Sequence, residues 1–141
     1  MISKLNKIAE EAMSKAYAPY SGFIVGAALL SEDDQIFSGC NIENKSLTPT
    51  VCAERTAIFK AISEGVLNFK AIGIITTDDN FTAPCGVCRQ VMSEFVDDNF
   101  KIILFNNKGE SKMHDFGFFF NGRFEPNSKI GNKNKLKSSE F

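Results

Sequence analysis

The first regular pattern along the chain is a series of apolar residues that recur every three or four positions. It begins after Ser3, a suitable N-cap, and polar Lys and Glu side chains separate its members: Leu5, Ile8, Ala9, Ala12 and Ala16. This spacing predicts an amphipathic helix. Pro19 cannot continue a helix and Gly22 permits a tight turn, so we expect the helix to end before them.

Four further segments have the patterns of β-strands. Residues 23–30 and 35–42 are joined by the polar turn 31–34, which predicts an antiparallel hairpin. The runs 69–76 and 101–105 are almost continuously apolar, and such runs are typical of strands covered on both faces.

Two more helices are expected between these strands. Pro49 and Thr50 start the first, which ends near Glu64, and its apolar positions are Ala53, Ala57, Ile58, Ala61 and Ile62. The second begins around Pro84, where a missing N–H is harmless. Its apolar side is predicted to hold Val87, Val91, Met92 and Phe95. The order of elements predicts an α/β fold, a mixed sheet with helices on both faces.

The pattern weakens towards the end of the chain. Residues 116–124 hold five Phe without a clear period, and residues 127–141 are rich in Lys, Asn and Ser. The latter composition is that of a solvated, disordered tail. A chain of 141 residues fits one domain and can bury a core. We therefore expect a single domain over residues 1–126 and a tail over residues 127–141.

Charge and composition exclude several classes of protein. Sixteen basic and seventeen acidic residues give a net charge of −1, which disfavours nucleic acid as a partner. No apolar run is long enough to span a bilayer, and no signal-peptide pattern opens the chain. We therefore expect a cytoplasmic protein without a membrane partner. In that compartment the four Cys stay reduced and are available as metal ligands.

Three of the four cysteines have the spacing of a metal site. Cys85 and Cys88 form a C-x-x-C pair, and Cys52 precedes them by 33 residues. A structural zinc takes four protein ligands, whereas a catalytic zinc takes three and keeps a position for water. Glu54, two residues after Cys52, is placed to exchange protons with that water. We therefore favour a catalytic zinc.

Other interpretations of the cysteines remain open at this point. C-x-x-C alone also occurs in redox pairs and in structural zinc sites, and His114 is the one available histidine that could close such a site. Cys40 has no partner in either motif and is interpreted as a small buried hydrophobic residue.

Local charge also favours a metal at these cysteines. Cys52 and Cys85 are each expected at a helix N-terminus, where the helix dipole stabilises a thiolate. Arg55 and Arg89 lie beside the motif residues. They are suitable donors that withdraw electron density from the sulfurs.

The residues described so far resemble a known family, the small zinc-dependent cytidine deaminases that have three Cys ligands and form homotetramers. Five blocks carry the likeness, in order along the chain: residues 17–23, 25–29, 39–44, 52–57 and 84–90. The general zinc-deaminase pattern of a ligand and Glu followed by P-C-x-x-C is well described. The resemblance implies a three-layer α/β/α sandwich with a mixed sheet of about five strands.

The resemblance also implies roles for individual residues. Cys52, Cys85 and Cys88 would hold Zn²⁺, with Glu54 as the proton shuttle. Phe23 would stack on the pyrimidine, Asn41 and Glu43 would hydrogen-bond the ribose, and the backbone at Ala53 and Cys85 would hold the edge of the base. Phe124 would close the pocket of an adjacent subunit. From the alternation along the strand, Asn41 and Glu43 are expected to point one way while Ile42 faces inwards.

The expected reaction is the hydrolytic deamination of cytidine and 2′-deoxycytidine in pyrimidine salvage. Water activated by zinc would attack C4 of the base while Glu54 moves protons, and uridine or 2′-deoxyuridine and ammonia would result. Three alternatives are a deaminase of a modified nucleoside, a deaminase of nucleic acid, and a non-enzymatic structural zinc module.

The sequence departs from the family pattern in two places. Leu47 stands where many members have a Tyr that reaches a neighbouring subunit. Residues 119–124 stand where members have Leu-Leu-Pro, two further residues and Phe. The several Phe of this region suit a subunit interface.

Overall fold

A five-stranded mixed sheet forms the centre of the chain in a computed structural model that describes residues 1–124. The elements in chain order are α1 (Ile2–Met13), β1 (Val25–Ser31), β2 (Ile36–Cys40), α2 (Ala53–Ser63), β3 (Phe69–Thr76), α3 (Gly86–Phe95), β4 (Lys101–Phe105), β5 (Ser111–Asp115) and the short α4 (Phe116–Phe119). The predicted tail over residues 127–141 lies outside the described residues. No helix within residues 1–124 has both the length and the apolar character needed to cross a membrane.

The strand order in the sheet is β2-β1-β3-β4-β5. β1 pairs antiparallel with both β2 and β3, and β4 pairs antiparallel with β5. Only β3 and β4 are parallel, because the connection between them crosses over through α3. The predicted mixed sheet is therefore confirmed.

The alternation of side chains along β1 separates the core into two layers. Ala27 and Leu29 face α2 and α3 in one cluster of buried residues. Ala28 and Leu30 face α1 in the other, together with Leu5 of α1 itself. Because successive residues of a strand point to opposite faces, one strand supplies both cores. The result is the expected three-layer α/β/α sandwich.

Several expected boundaries differ from those observed. α1 ends at Met13 rather than near Ala16, because its buried face ends at Ala12. α2 begins at Ala53 with Cys52 as its N-cap, so Thr50 is not the cap. Thr50 instead accepts a hydrogen bond from the backbone of Asn44 through its hydroxyl, within the preceding turn.

The buried side of α3 also differs from the predicted one. Val87 is 57% exposed, whereas Cys88 and Met92 are buried. Val91 and Phe95 are partly buried against the same cluster. Cys88 behaves as a buried apolar residue. When it is counted among the apolar positions, the predicted buried side of α3 no longer includes Val87.

The predicted antiparallel hairpin is confirmed, but its second strand ends earlier than expected. β2 ends at Cys40, so residues 41–43 lie beyond it. The expectation that Ile42 faces inwards is wrong, because Ile42 is 44% exposed while Asn41 is 7% exposed. Ile42 leaves the strand to pair with Val51 and Tyr17 as isolated bridges. The sequence predicts that Cys40 is a small buried hydrophobic residue, but its side chain is only half-buried.

Candidate metal and catalytic site

Two helix N-termini bring the motif cysteines together. Cys52 is the N-cap of α2, and Cys85 is the N-cap of α3. The sulfur of Cys85 accepts a hydrogen bond from the backbone N–H of Cys88 at 3.4 Å. N-cap side chains normally satisfy such free N–H groups, so the sulfur takes the role that a Ser or Asp oxygen usually has.

The position of α2 depends on a glycine in β2. A Cβ added at Gly39 would lie 2.3 Å from the carbonyl oxygen of Ala53 and 2.5 Å from the backbone nitrogen of Ala57. Only glycine permits so close an approach of helix and strand. Gly39 therefore sets the first turn of α2, including Cys52 and Glu54, directly against the sheet.

The three sulfurs form a compact group. The Sγ atoms of Cys52 and Cys85 are 3.6 Å apart, and those of Cys85 and Cys88 are 3.4 Å apart. All three lie within 4.8 Å of one another. Thiolates bound to one tetrahedral zinc at the usual Zn–S length stand about 3.8 Å apart. The donor type and spacing of this group therefore fit zinc.

His114 does not join this group of three among residues 1–124. Its ring stacks on Phe118 with centroids 4.4 Å apart and meets Phe119 edge-on at 5.3 Å. The sequence left open a role for this histidine as a fourth ligand. The aromatic contacts instead place it in the cluster formed by β5 and α4.

The sulfurs differ in their affinity for protons. A hydrogen bond from Cys88 and the nearby Arg55 lower the pKa of Cys52 to about 5. The pKa of Cys88 is raised, because it donates to Cys52 and because it is buried. Cys52 is therefore the sulfur of this pair that loses its proton more readily, and the thiolate is the form that binds zinc.

Glu54 lies on the first turn of α2 and is 5% exposed. Burial raises the pKa of its carboxyl to about 7 against the opposing effect of its own backbone N–H, and the charge of Cys52 adds to the rise. Its carboxyl also hydrogen-bonds Cys88. A carboxyl group whose pKa lies near neutrality can both accept and donate protons at physiological pH.

The two arginines of the motifs have different contacts. Arg55 donates from Nη2 to the Cys52 sulfur at 3.3 Å and to the carbonyl of Thr50, as expected of a residue that supports a ligand. Arg89 donates instead to the carbonyls of Pro84 at 2.7 Å and Phe119 at 3.1 Å. The expectation that Arg89 bonds a sulfur is therefore wrong, because its guanidinium is directed at the backbone.

The residues expected to bind a sugar and a base form a second cluster next to Cys52. Ile42 exchanges two backbone hydrogen bonds with Val51, the residue before Cys52. This pairing holds residues 41–43 beside the N-terminus of α2. Phe23, at the entry to β1, is 38% exposed.

Asn41 and Glu43 both hold the backbone around Phe23. The amide of Asn41 accepts from Val25 N at 2.9 Å and donates to the carbonyl of Phe23 at 2.7 Å. The carboxylate of Glu43 accepts from the backbone of Tyr20 and from the hydroxyl of Ser21, which lowers the pKa of Glu43.

The same Ser21 hydroxyl accepts from the N–H of Phe23 at 3.0 Å. Asn41 and Glu43 both keep hydrogen-bonding capacity beyond these contacts, because an amide has two N–H donors and a carboxylate has about four acceptor sites.

A buried asparagine in the turn after β4 has a structural role that the sequence did not indicate. Asn106 is 2% exposed and donates to the carbonyl of Asp79 at 3.0 Å, while its oxygen accepts from the backbone of Lys108 and Glu110. It therefore fixes the loop that leads from β3 to Cys85. The sequence of residues 106–109, Asn-Asn-Lys-Gly, is typical of a turn, and the Asn at its first position is the available signal for this role.

An α/β/α sandwich that brings three cysteines and a buried glutamate together at two helix N-termini defines a class of zinc-dependent hydrolytic enzymes. Residues 1–104 match the family described as the cytidine and deoxycytidylate deaminase zinc-binding region. The chain belongs to this family, its cofactor is Zn²⁺, and it is an enzyme of the cytidine deaminase kind.

Relatives and solved structures agree with this assignment. The cytidine deaminase of Sporosarcina psychrophila is 49% identical over 109 residues, 77% of this chain and 80% of that protein. That of Halalkalibacterium halodurans is 48% identical over 106 residues, 75% and 80% of the two chains. The crystal structure of cytidine deaminase from Burkholderia pseudomallei has a TM-score of 0.84 at 40% identity and covers 88% of this chain and 99% of that one.

Proposed function

We propose that this enzyme hydrolyses the amino group from C4 of cytidine and 2′-deoxycytidine and releases uridine or 2′-deoxyuridine with ammonia. One observation carries the proposal: the carboxyl of Glu54 is buried in the first turn of a helix whose N-cap, Cys52, is one of the three clustered cysteines. A proton-transfer group next to a zinc-ligand set suits hydrolysis of a C–N bond. The relatives named above are cytidine deaminases, which supports the choice of substrate.

The metal and the carboxyl have separate roles in this reaction. When bound by Cys52, Cys85 and Cys88, zinc supplies a water molecule of lowered pKa, and hence a nucleophile at neutral pH. Glu54 accepts the proton released at its carboxylate and delivers it to N3 of the cytosine ring, which makes C4 more electrophilic. It then takes up the proton of the hydroxyl group added at C4 and passes it to the amino nitrogen, so that the C4–N bond breaks, ammonia leaves and the C4 carbonyl of uridine forms.

The second cluster supplies the proposed substrate contacts. Phe23 presents a partly exposed ring for stacking on the pyrimidine. Asn41 and Glu43 use their remaining hydrogen-bonding capacity for the ribose hydroxyls, and the backbone at Ala53 holds the edge of the base. Asn41 also bonds the backbone carbonyl of Phe23, and Glu43 bonds the backbone of Tyr20 in the preceding turn, so the two residues bind the sugar and help to orient the ring.

We also propose a homotetramer in which sites are completed by neighbouring subunits. Phe124 is 76% exposed, Leu47 is 69% exposed and Phe118 is 66% exposed. Exposed apolar side chains of this size suit subunit contacts. In such an assembly Phe124 closes the pocket of an adjacent subunit, whereas Leu47 cannot make the hydrogen bond that a Tyr would make there.

The proposed setting is pyrimidine salvage in the cytoplasm. A cluster of three free cysteines supports a reducing compartment, where thiolates persist as metal ligands rather than as disulfides. Residues 1–126 are proposed as the single catalytic domain.

The test is ammonia release from a panel of substrates by the zinc-loaded protein, with zinc content measured on the same sample. The panel contains cytidine, 2′-deoxycytidine, a base-modified cytidine, adenosine and a cytosine-bearing oligonucleotide. We expect turnover of the two simple nucleosides and none of the oligonucleotide, which matches the lack of net positive charge.

Two results would contradict the proposal. If only the oligonucleotide or only the modified nucleoside is turned over, the same zinc chemistry acts on another class of substrate. A zinc-loaded protein that releases no ammonia from any member of the panel would favour a structural zinc module.

A further inference from the structure

Arg89 connects two segments of the chain that are far apart in sequence. Its Nε donates to the carbonyl oxygen of Pro84 at 2.7 Å, and its Nη1 donates to that of Phe119 at 3.1 Å. The guanidinium carbon also lies 5.1 Å from the centroid of the Phe119 ring. One side chain of α3 thus contacts both the residue before Cys85 and the helix α4.

The contact with Pro84 fixes the start of the metal loop, by which we mean residues 84–88. Pro84 is buried and directly precedes Cys85, whereas Cys85 itself is exposed. An exposed ligand has few packing contacts to hold it, so the backbone on either side must set its position. Since a guanidinium is planar and rigid, two donors fixed on two carbonyls restrain that backbone strongly.

The contact with Phe119 fixes the other segment, which we call the aromatic segment (residues 116–124). Phe119 meets Phe118 edge-on with centroids 5.1 Å apart, and Phe120 stacks on Phe116 at 5.5 Å. The segment ends at Phe124, which is 76% exposed.

A second arginine holds the aromatic segment to the far end of α3. Arg123 donates to the carbonyl of Val96 at 2.9 Å and to Asp98 at 2.7 Å, and its guanidinium lies over the ring of Phe116 at 5.0 Å. Arg123 therefore resembles Arg89 in its contacts but makes none of those described to the metal loop.

We propose that Arg89 is a positioning residue that couples zinc binding in the metal loop to the docking of the aromatic segment. The inference rests on the proposed function in one respect, which is the role of Phe124 at a neighbouring subunit. The coupling itself concerns metal binding alone. Because coupling between two sites is reciprocal, loosening the aromatic segment lowers the affinity for zinc, and removal of zinc loosens the segment.

The first test compares Arg89→Met with Arg123→Met. Both changes keep an unbranched side chain and remove an arginine from its hydrogen-bond acceptors and from one Phe ring. Within residues 1–124 Arg89 has two such acceptors, and Arg123 has three, because it also donates to the carbonyl of Ser93 at 3.2 Å. The rate of zinc transfer to a chromogenic chelator is measured on each zinc-loaded protein. We expect release about tenfold faster from Arg89→Met, the lower end of the range for groups that support metal ligands. We expect a smaller increase from Arg123→Met, which loosens the aromatic segment but removes no contact described to the metal loop.

A conservative variant and a spectroscopic measurement separate positioning from general loss of structure. Arg89→Lys keeps the charge but offers one ammonium in place of the fork, so its release rate should lie between those of wild type and Arg89→Met. In the cobalt-substituted proteins, the thiolate-to-metal charge-transfer bands should shift in both Arg89 variants and stay unchanged in Arg123→Met.

The second test measures hydrogen exchange in residues 116–124 with and without zinc. In the wild-type protein, removal of zinc should speed exchange at these amides, including Phe120, which donates to the Phe116 carbonyl. In Arg89→Met the segment should exchange quickly in both states, so that the difference due to zinc becomes small.

Equal rates of zinc release from wild type and both Arg89 variants would overturn the inference. Hydrogen exchange in the aromatic segment that is equally fast with and without zinc in the wild-type protein would also overturn it. Each readout is independent of deamination. An enzyme that binds zinc in this Arg89-dependent way but acts on no nucleoside would contradict the proposed function and leave the coupling intact.

Discussion

The two helix N-termini of the site have the same local geometry but different surroundings. Cys52 and Cys85 both serve as N-caps with extended backbone. Around Cys52 lie charged groups: Arg55 donates to the sulfur, and Glu54 is buried two residues further along the first turn of α2. Around Cys85 it places backbone support from Arg89. The start of α2 therefore carries one cysteine and the charged groups of the site, and the start of α3 carries the other two cysteines.

The two helices also differ in how closely their first turns pack against the rest of the protein. The first turn of α2 is pressed against β2 at Gly39, where an added Cβ would clash with the backbone of Ala53. At Gly86, in the first turn of α3, an added Cβ would meet nothing within 4 Å. The N-terminus of α2 is thus fixed by close contact with the sheet, whereas that of α3 is exposed to solvent and held by hydrogen bonds.

The largest expected effect comes from removing the buried ligand of α3. Cys88→Ser should bind zinc much more weakly and lose deaminase activity, because two sulfur ligands bind the ion too weakly to retain it when the protein is diluted. Zinc content after gel filtration and ammonia release from cytidine are the measurements. Cys40→Ser is the matched control, since Cys40 is not in the sulfur group. A zinc-replete, active Cys88→Ser would exclude Cys88 as a ligand.

A change at the start of α2 should remove turnover without removing the metal. Glu54→Gln keeps the size of the side chain but cannot take up a proton, so kcat should fall by about 10²–10⁴-fold. Zinc content and the circular dichroism spectrum should match those of wild type. Substantial turnover in a zinc-loaded sample would show that another group transfers the protons.

Substitution of the two glycines compares the packing directly. Gly39→Ala should lower the free energy of unfolding by about 1–3 kcal/mol, since backbone must move to admit the methyl group. Gly86→Ala should change it by no more than about 0.5 kcal/mol. Urea denaturation of the zinc-loaded variants measures both. Equal effects at the two positions would contradict the difference in packing.

The smallest effect is expected at the ribose contact. Glu43→Gln should raise the KM for cytidine roughly two- to tenfold, the range for one hydrogen bond, while kcat changes less. Glu64→Gln, at the opposite end of α2, is the control and should leave KM unchanged. A KM for Glu43→Gln equal to that of wild type would limit Glu43 to holding the Tyr20–Ser21 backbone.

The central strands and the metal ligands could be predicted from the sequence because each has a strong local signal. The buried strands over residues 69–76 and 101–105 have the predicted bounds, since an uninterrupted apolar run leaves little choice of register. The sulfur group follows from the spacing of Cys52, Cys85 and Cys88, and the structure brings these sulfurs together.

The elements that the sequence did not predict depend on tertiary contacts. β5 is an edge strand with mostly exposed residues, so it has no apolar alternation to detect. α4 is a single turn of Phe residues without periodicity. The direction of the Arg89 side chain depends on the position of Phe119, which lies 30 residues further along the chain and could not be located beforehand.

X-ray absorption at the zinc edge of the purified protein tests the central claim most directly. The account predicts one zinc per chain with three sulfur ligands at about 2.3 Å and one oxygen or nitrogen at about 2.0 Å, and it predicts that the light ligand exchanges when a nucleoside analogue binds. Four ligands that all come from the protein and do not respond to a nucleoside would contradict it.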